Sequence, residues 1–261
     1  MNAKSTTVAE PIHILDVPFT SYSFSDILKY MDEGIINCRH AQYISITNTE
    51  SLYHALRLPS HHQFIRNAAF SCCDGVGIVL AAKMFGYKIP RLHGPDLMLK
   101  CCEYGLKKKW RHFFYGGKAG VPDLLQKKLS EKYPGLIVAG GYSPPFRKLK
   151  PQEDQYTIDL INSAHPDILW VGLGLIKQES WIAQHLEKIS ISWMIGVGAA
   201  FDFHAGTIKR APKLLRNVGL EWLYRLAFEP RMFVRNIYSL SLILSLTKYA
   251  MRYRRNSLPH Q

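Results

Sequence analysis

The stretch Ile168-Leu169-Trp170-Val171-Gly172-Leu173-Gly174-Leu175-Ile176-Lys177-Gln178-Glu179-Ser180-Trp181 decides the fold. Its first residues are apolar without alternation, the pattern of a strand covered on both faces. Two glycines then open a turn, and from Gln178 to Ile189 the apolar positions recur at helical spacing. A doubly covered strand running through a glycine turn into a helix is the repeating unit of a parallel α/β sheet. The same alternation continues outward in both directions. Tyr43–Thr47, Phe113–Tyr115, Ile137–Ala139 and Ser192–Val197 read as strands. Glu50–Leu56, Asp96–Lys107, Val121–Lys132 and Gln152–Ser163 read as helices. The Gly- and Pro-rich stretch Gly140–Gln152 reads as a mobile surface loop.

In open α/β sheets, ligands bind at the carboxyl ends of the strands, so the turns there are the first candidates. Asn48 follows the strand at Tyr43. Asp74, in Ser71-Cys72-Cys73-Asp74-Gly75-Val76-Gly77, has glycines beside it that permit close ligand approach, and semi-burial would raise its basicity toward general-base use. An Asp at this place also suits the N-cap of a helix starting near Val76, and spacing alone favours the cap. Gly116 and Gly117, between a strand and a helix start, suit phosphate binding by free N–H groups, or simply a tight turn. After Gly174, Lys177 can neutralise a phosphate and Gln178 can donate and accept hydrogen bonds. An ordinary solvated helix start, with Glu179 favoured by the helix dipole, fits the same residues. Asp202, between Phe201 and Phe203, can accept from ribose hydroxyls or a base, or cap the next turn.

Several chemistries are excluded. The five cysteines include two adjacent pairs and no C-x-x-C, which fits neither a zinc site nor a disulfide framework and suggests a reducing cytosol. The 11 histidines form no H-x-x-x-H or H-E-x-x-H, so no metal site is expected. His61-His62 sits in a polar stretch and reads as surface, while His93 and His204 lie beside glycine turns. The absence of G-x-S-x-G disfavours a Ser hydrolase, and the absence of G-x-G-x-x-G disfavours a nicotinamide oxidoreductase. No signal peptide is expected. The uncharged apolar stretch Asn236–Thr247 has 12 residues against the ~20 a spanning helix needs.

The net charge of +13 calls for an anionic partner. Its placement narrows the choice: residues 1–208 hold 22 Lys+Arg and 18 Asp+Glu, whereas residues 209–261 hold 11 and 2. Leu240, Leu242, Ile243, Leu244 and Leu246 form an apolar patch between Arg235 and the Lys248–Arg255 cluster. A basic, partly apolar helix suits a membrane interface; core packing or an oligomer contact are the alternatives.

The motifs taken together resemble the WecG/TagA/CpsF glycosyltransferases, glycosyltransferase family 26. In order they are Asn48-x-Glu50, Asp74-Gly75-x-Gly77, Arg91-x-x-Gly94-Pro95-Asp96, Phe114-x-Gly116-Gly117 and Tyr133-Pro134. They continue as Gly172-x-Gly174-x-x-Lys177-Gln178-Glu179-x-Trp181 and Phe201-Asp202-Phe203-x-Ala205-Gly206, leading to Arg210-Ala211-Pro212. Leu220-Glu221-Trp222-Leu223-Tyr224-Arg225 and Glu229-Pro230-Arg231 close the series. The resemblance implies a Rossmann-like α/β core, residues 1–206, binding a UDP-sugar. It also implies a basic helical appendage, residues 207–261, for membrane association and completion of the active site.

The implied reaction is inverting, metal-independent transfer from a UDP-sugar to a polyprenyl-diphosphate-linked sugar, without a cofactor, at the inner face of the cytoplasmic membrane. Donors in the family carry N-acetylmannosamine, its uronic acid, or glucuronic acid. By the same mapping Asp74 is the general base, Asn48, Arg91 and Gln178 line the pocket, and Asp202 contacts the nucleotide. Gly75, Gly116, Gly117, Gly174 and Lys177 join the substrate-binding set, with Thr47 supplying a hydroxyl. Arg225, Arg231 and Arg235 stabilise departing UDP or grip the acceptor diphosphate, as the Arg fork suits phosphate oxygens. The chain departs from the family pattern at Ile176, where Pro is usual, at Ile46, where Thr is common, and at Met232, where a second Arg is frequent. The main rival is a basic Rossmann-type RNA-binding or RNA-modifying enzyme, which a nearly balanced core disfavours.

Overall fold

The computed structural model describes residues 10–37, 40–217, 220–228, 237–238, 241–242 and 244. Six strands form one parallel sheet: β3 (Gln42–Thr47), β4 (Phe70–Cys73), β5 (Arg111–Gly116), β6 (Ile137–Tyr142), β7 (Ile168–Gly172) and β8 (Trp193–Gly196). Their order across the sheet is β4-β3-β8-β7-β5-β6, and every neighbouring pair is parallel. All six carboxyl ends therefore share one edge, and the α/β expectation holds.

The apolar runs divide between the two faces by residue parity. Tyr43, Phe113, Tyr115, Leu169, Val171 and Met194 pack on one face. There they meet α2 (Thr49–Ala55), α3 (Pro59–Arg66), α4 (Val76–Met84), α7 (Pro151–Ser163) and α8 (Lys177–His185). Ile44, Phe114, Ile168, Trp170, Trp193 and Ile195 pack on the other, against α1 (Phe24–Ile36), α5 (Gly94–Lys108), α6 (Val121–Lys132) and α9 (Ala200–Ala205). Such strands carry no hydrophobic alternation because both parities are buried.

Several elements lay outside the sequence expectation. A hairpin, β1 (Ile12–Ile14) and β2 (Val17–Phe19), borders β4 through the Thr20 N–H to the Ser71 carbonyl at 2.9 Å. Its turn holds Leu15 and Asp16 at φ 50° and 63°, without the Asn-Gly signal such a turn usually shows. Strand β4, with the four residues Phe-Ser-Cys-Cys, carries no period that marks a strand in the sequence. The stretch expected as a mobile loop from Gly140 is partly regular: Gly140–Tyr142 extend β6 and Pro151 opens α7. Gly140 fits there because a Cβ would lie 2.7 Å from the Phe113 ring. His61, expected at the surface, is buried on α3 with Nε2 2.9 Å from the Ser51 hydroxyl, and burial pushes its pKa down to about 4.

Beyond the core lie α10 (Lys213–Asn217) and α11 (Glu221–Phe228). Of the expected apolar tail patch, Leu242 is buried in the core cluster and Leu244 is exposed; Leu240, Ile243 and Leu246 lie outside the described residues. Leu242 thus follows the core-packing alternative. Among the described residues no helix is long and apolar enough to cross a membrane.

Candidate active site at the carboxyl ends of the strands

Asp74 directly follows β4, and its N–H continues the ladder to the Thr47 carbonyl at 2.9 Å. It is not a cap: Gly75 is the N-cap of α4, with no side-chain cap bond. Its Oδ1 instead lies 2.5 Å from Nδ1 of His93, with Asp74 21% and His93 14% exposed. The segment carrying His93 is held against the end of β4 by the Leu92 N–H to the Cys73 carbonyl, 2.7 Å. Helix α5 begins immediately afterwards, with His93 as N-cap and Pro95 in its first turn. Gly75 allows the β3 and β4 turns to approach: a Cβ there would sit 3.1 Å from the Thr49 hydroxyl and 3.7 Å from the Asn48 Cα. Sequence reasoning missed His93, since it is one of the unspecified positions between Arg91 and Gly94 and no local pattern marks a pairing 19 residues distant.

Arg91 stands on the same segment, and its Nη1 donates to the Arg216 carbonyl on α10 at 2.8 Å. Behind it, Arg210 bridges Asp96 of α5 at 2.6 Å and Glu221 of α11 at 3.4 Å. Burial disfavours the Asp96 anion, but the Arg210 hydrogen bond and the charges of Arg210, His93 and Arg216 outweigh it. They hold the carboxyl below its ordinary range. This network fastens α10 and α11 to the edge where Asp74 sits.

Asn48 caps α2, its Oδ1 accepting from the Ser51 N–H at 2.9 Å, which leaves the amide nitrogen as its donor. Thr47 departs from expectation. It is wholly buried, its hydroxyl 3.0 Å from Ser45 Oγ and 3.3 Å from Ser71 Oγ, so the parity of β3 directs it into the core.

On the far side of β8, β5 and β7 end in close contact. A Cβ on Gly116 (φ 121°) would lie 2.6 Å from the Gly172 carbonyl carbon and oxygen. The Gly117 N–H donates to that carbonyl at 2.9 Å, so it is not the free phosphate donor the sequence suggested. Gly174 (φ 86°) turns the chain with open space around it. Ile176 follows at φ 70°, ψ −45°, near the strained γ-turn conformation and unreachable for the Pro usual in the family. Lys177 starts α8, its Nζ 4.5 Å from the centre of the exposed Phe146 ring.

Gln178 is buried: Oε1 accepts from the Gly198 N–H at 3.0 Å and Nε2 donates to Glu179 Oε1 at 3.0 Å. Gly196 leaves room for it, since a Cβ there would be 2.9 Å from Gln178 Nε2. Glu179 is 5% exposed rather than solvated as a surface helix start would be. Burial raises its pKa to about 7 against the hydrogen bond from Gln178, and the charge of Glu50 raises it further. Asp202, in α9, accepts from the Thr207 hydroxyl at 2.9 Å. Arg225 of α11 places its guanidinium 5.3 Å from the Phe203 ring centre, adjoining Asp202. Arg231 and Arg235 lie outside the described residues.

Residues 12–257 match the model of the glycosyl transferase WecG/TagA/CpsF family. The chain belongs to this family. It is therefore a glycosyltransferase, a hexosyltransferase built on a Rossmann-like sheet. Among similar proteins of the family is the N-acetylglucosaminyldiphosphoundecaprenol N-acetyl-beta-D-mannosaminyltransferase of Bacillus subtilis (strain 168), 29% identical over 93% of this chain and 90% of its own length. Proteins of the same name from Bacillus spizizenii and Staphylococcus aureus (strain NCTC 8325 / PS 47) are 28% and 27% identical. They cover 96% and 86% of this chain, and 94% and 87% of their own lengths.

Proposed function

We propose that this WecG/TagA/CpsF enzyme transfers a sugar from a UDP-sugar to a polyprenyl-diphosphate-linked sugar during cell-surface polysaccharide synthesis. The observation that carries the reading is the matching of relatives named for a diphosphoundecaprenol-linked acceptor along nearly the whole chain. The sugar moved is of the N-acetylmannosamine, N-acetylmannosaminuronic acid or glucuronic acid type. Asp74 acts as general base: its free oxygen takes the acceptor hydroxyl proton as that oxygen attacks the anomeric carbon, since an un-ionised sugar hydroxyl is a poor nucleophile. The anomeric C–O bond breaks on the opposite side, inverting the centre, and its electron pair leaves with UDP.

Arg91 and the Asn48 amide bind substrate oxygens near the base, while Gln178 shapes the pocket wall between Gly196 and Gly198. Gly75, Gly116 and Gly117 let the strand-end turns pack closely around the substrate pocket, Gly174 leaves open space for substrate, Lys177 offers a cation to the diphosphate, and Asp202 binds the nucleotide. The reaction is metal-independent, with Arg225, Arg231 and Arg235 stabilising the departing diphosphate. Residues 207–261 complete the site over the 1–206 core and hold the enzyme at the inner face of the cytoplasmic membrane, where the prenyl acceptor lies.

Release of UDP from a panel of UDP-sugars, with a short-chain prenyl-diphosphate N-acetylglucosamine acceptor and with EDTA present, tests this reading. Acceptor-dependent UDP release with at least one donor is expected. No release from any donor, or release only when a divalent metal is restored, contradicts it.

A further inference from the structure

We propose that His93 is the positioning residue for the general base: its Nδ1–H holds one carboxylate oxygen of Asp74 and leaves the other for the acceptor hydroxyl. The inference rests on the reading of Asp74 as base. Three observations carry it. The pair is close and sheltered, at 2.5 Å with both side chains mostly buried. An Nδ1 lone pair facing a carboxylate oxygen would be repulsive, so Nδ1 carries the proton and donates. The imidazole is also mounted on a fixed backbone. The His93 carbonyl accepts the Leu97 N–H at 2.9 Å as α5 begins, and Leu92 is bonded to Cys73 beside Asp74.

Among the described residues, His93 is the hydrogen-bond partner of the Asp74 carboxylate. Cys72 and Cys73 precede it on β4, and burial pushes both thiols up, Cys73 to about 12, so they stay neutral. Arg91 supplies positive charge beside Cys73, while its guanidinium is bonded to the Arg216 carbonyl. On α5, Asp96 faces His93 but is neutralised by Arg210 and, at 3.8 Å, Arg216. During transfer the His93 proton stays on Nδ1. The acceptor proton goes to the free Asp74 oxygen, the new C–O bond forms, and the bond to the diphosphate breaks with its electron pair leaving on UDP. His93 thus fixes the direction of the carboxylate, so that its free oxygen meets the acceptor hydroxyl in one geometry.

The test uses the full chain and the transfer assay above, with kcat and the acceptor KM measured separately for wild type, His93→Ala, His93→Asn and Asp74→Asn. His93→Ala is expected to lose about a hundredfold in kcat while the acceptor KM changes little. His93→Asn, whose side-chain N–H can donate to the same oxygen, should recover most of kcat. A loss confined to KM or to the folded fraction overturns the proposal. So does a folded His93→Asn as impaired in kcat as His93→Ala, because a hydrogen bond to the carboxylate would then not be what the imidazole supplies. An active Asp74→Asn overturns the parent reading, whereas an inactive Asp74→Asn with a fully active His93→Ala overturns this inference alone. Should His93→Ala not fold, imidazole nitrogen NMR of the unsubstituted protein decides. A protonated Nδ1 with a strongly downfield proton supports the pair, and an Nε2–H tautomer with a bare Nδ1 overturns it.

Discussion

Glu179 gives the structure a measurable pH signature. Its carboxyl is 5% exposed, accepts one hydrogen bond from Gln178, and has its pKa raised by burial from 4.5 to about 7. Between those values the folded chain holds a proton that the unfolded chain has released, so stability falls as pH rises through this window and levels off above it. The window spans about two and a half pH units at about 1.4 kcal/mol each, so ionisation costs the folded state about 3 kcal/mol by pH 8.5. Glu179→Gln keeps the shape and the acceptor for Gln178 while removing the charge.

His61, His112 and His204 are pushed down to about 4, chiefly by burial, and act in the opposite sense: the stability from their neutral forms is present above pH 6.5 and lost as pH falls toward 4. Those contributions cancel when variant and wild type are compared at each pH. Urea unfolding from pH 5 to 8.5 should therefore show Glu179→Gln gaining about 3 kcal/mol on wild type toward the alkaline end. A difference that stays constant with pH would refute the argument that a buried carboxyl titrates here.

Three further outcomes follow from the geometry. Arg210→Ala removes the two ion pairs that link Glu221 of α11 to Asp96 of α5, and hydrogen exchange of residues 221–228 should speed about a hundredfold while the sheet amides keep their protection. Gly116→Ala forces a Cβ to within 2.6 Å of the Gly172 backbone at φ 121°, which should cost about 3 kcal/mol or more and lower Tm by about 10 °C. Ile176→Gly relieves a β-branched residue at φ 70° and should raise Tm by about 3 °C in a thermal melt.

Much of the fold was legible because parallel strands buried on both faces leave apolar runs such as Ile168–Val171, and glycine turns mark their ends. The hairpin at Ile12–Phe19 and strand β4 were not legible, since three- and four-residue strands are too short to show a period. In the candidate site, Asp74 and Arg91 were found through motif order, and the structure brings them to one edge. His93 could not be found that way, because its importance lies in a contact made across the fold. Thr47 was misjudged for a related reason: whether a strand-end hydroxyl faces the crevice or the core depends on parity, and at Thr47 parity points to Ser45 and Ser71. Glu179 reads as a solvated helix start in sequence, and only the packing of α8 against the sheet reveals it as a buried acid.

The central claim is that Asp74 removes the acceptor proton in transfer from a UDP-sugar to a prenyl-diphosphate-linked sugar. Its most direct test is single-turnover transfer by Asp74→Asn beside wild type, with saturating donor and acceptor and with UDP binding checked separately. The account predicts intact UDP binding and a rate lowered by about a hundredfold to ten-thousandfold. Transfer by Asp74→Asn at the wild-type rate would contradict it.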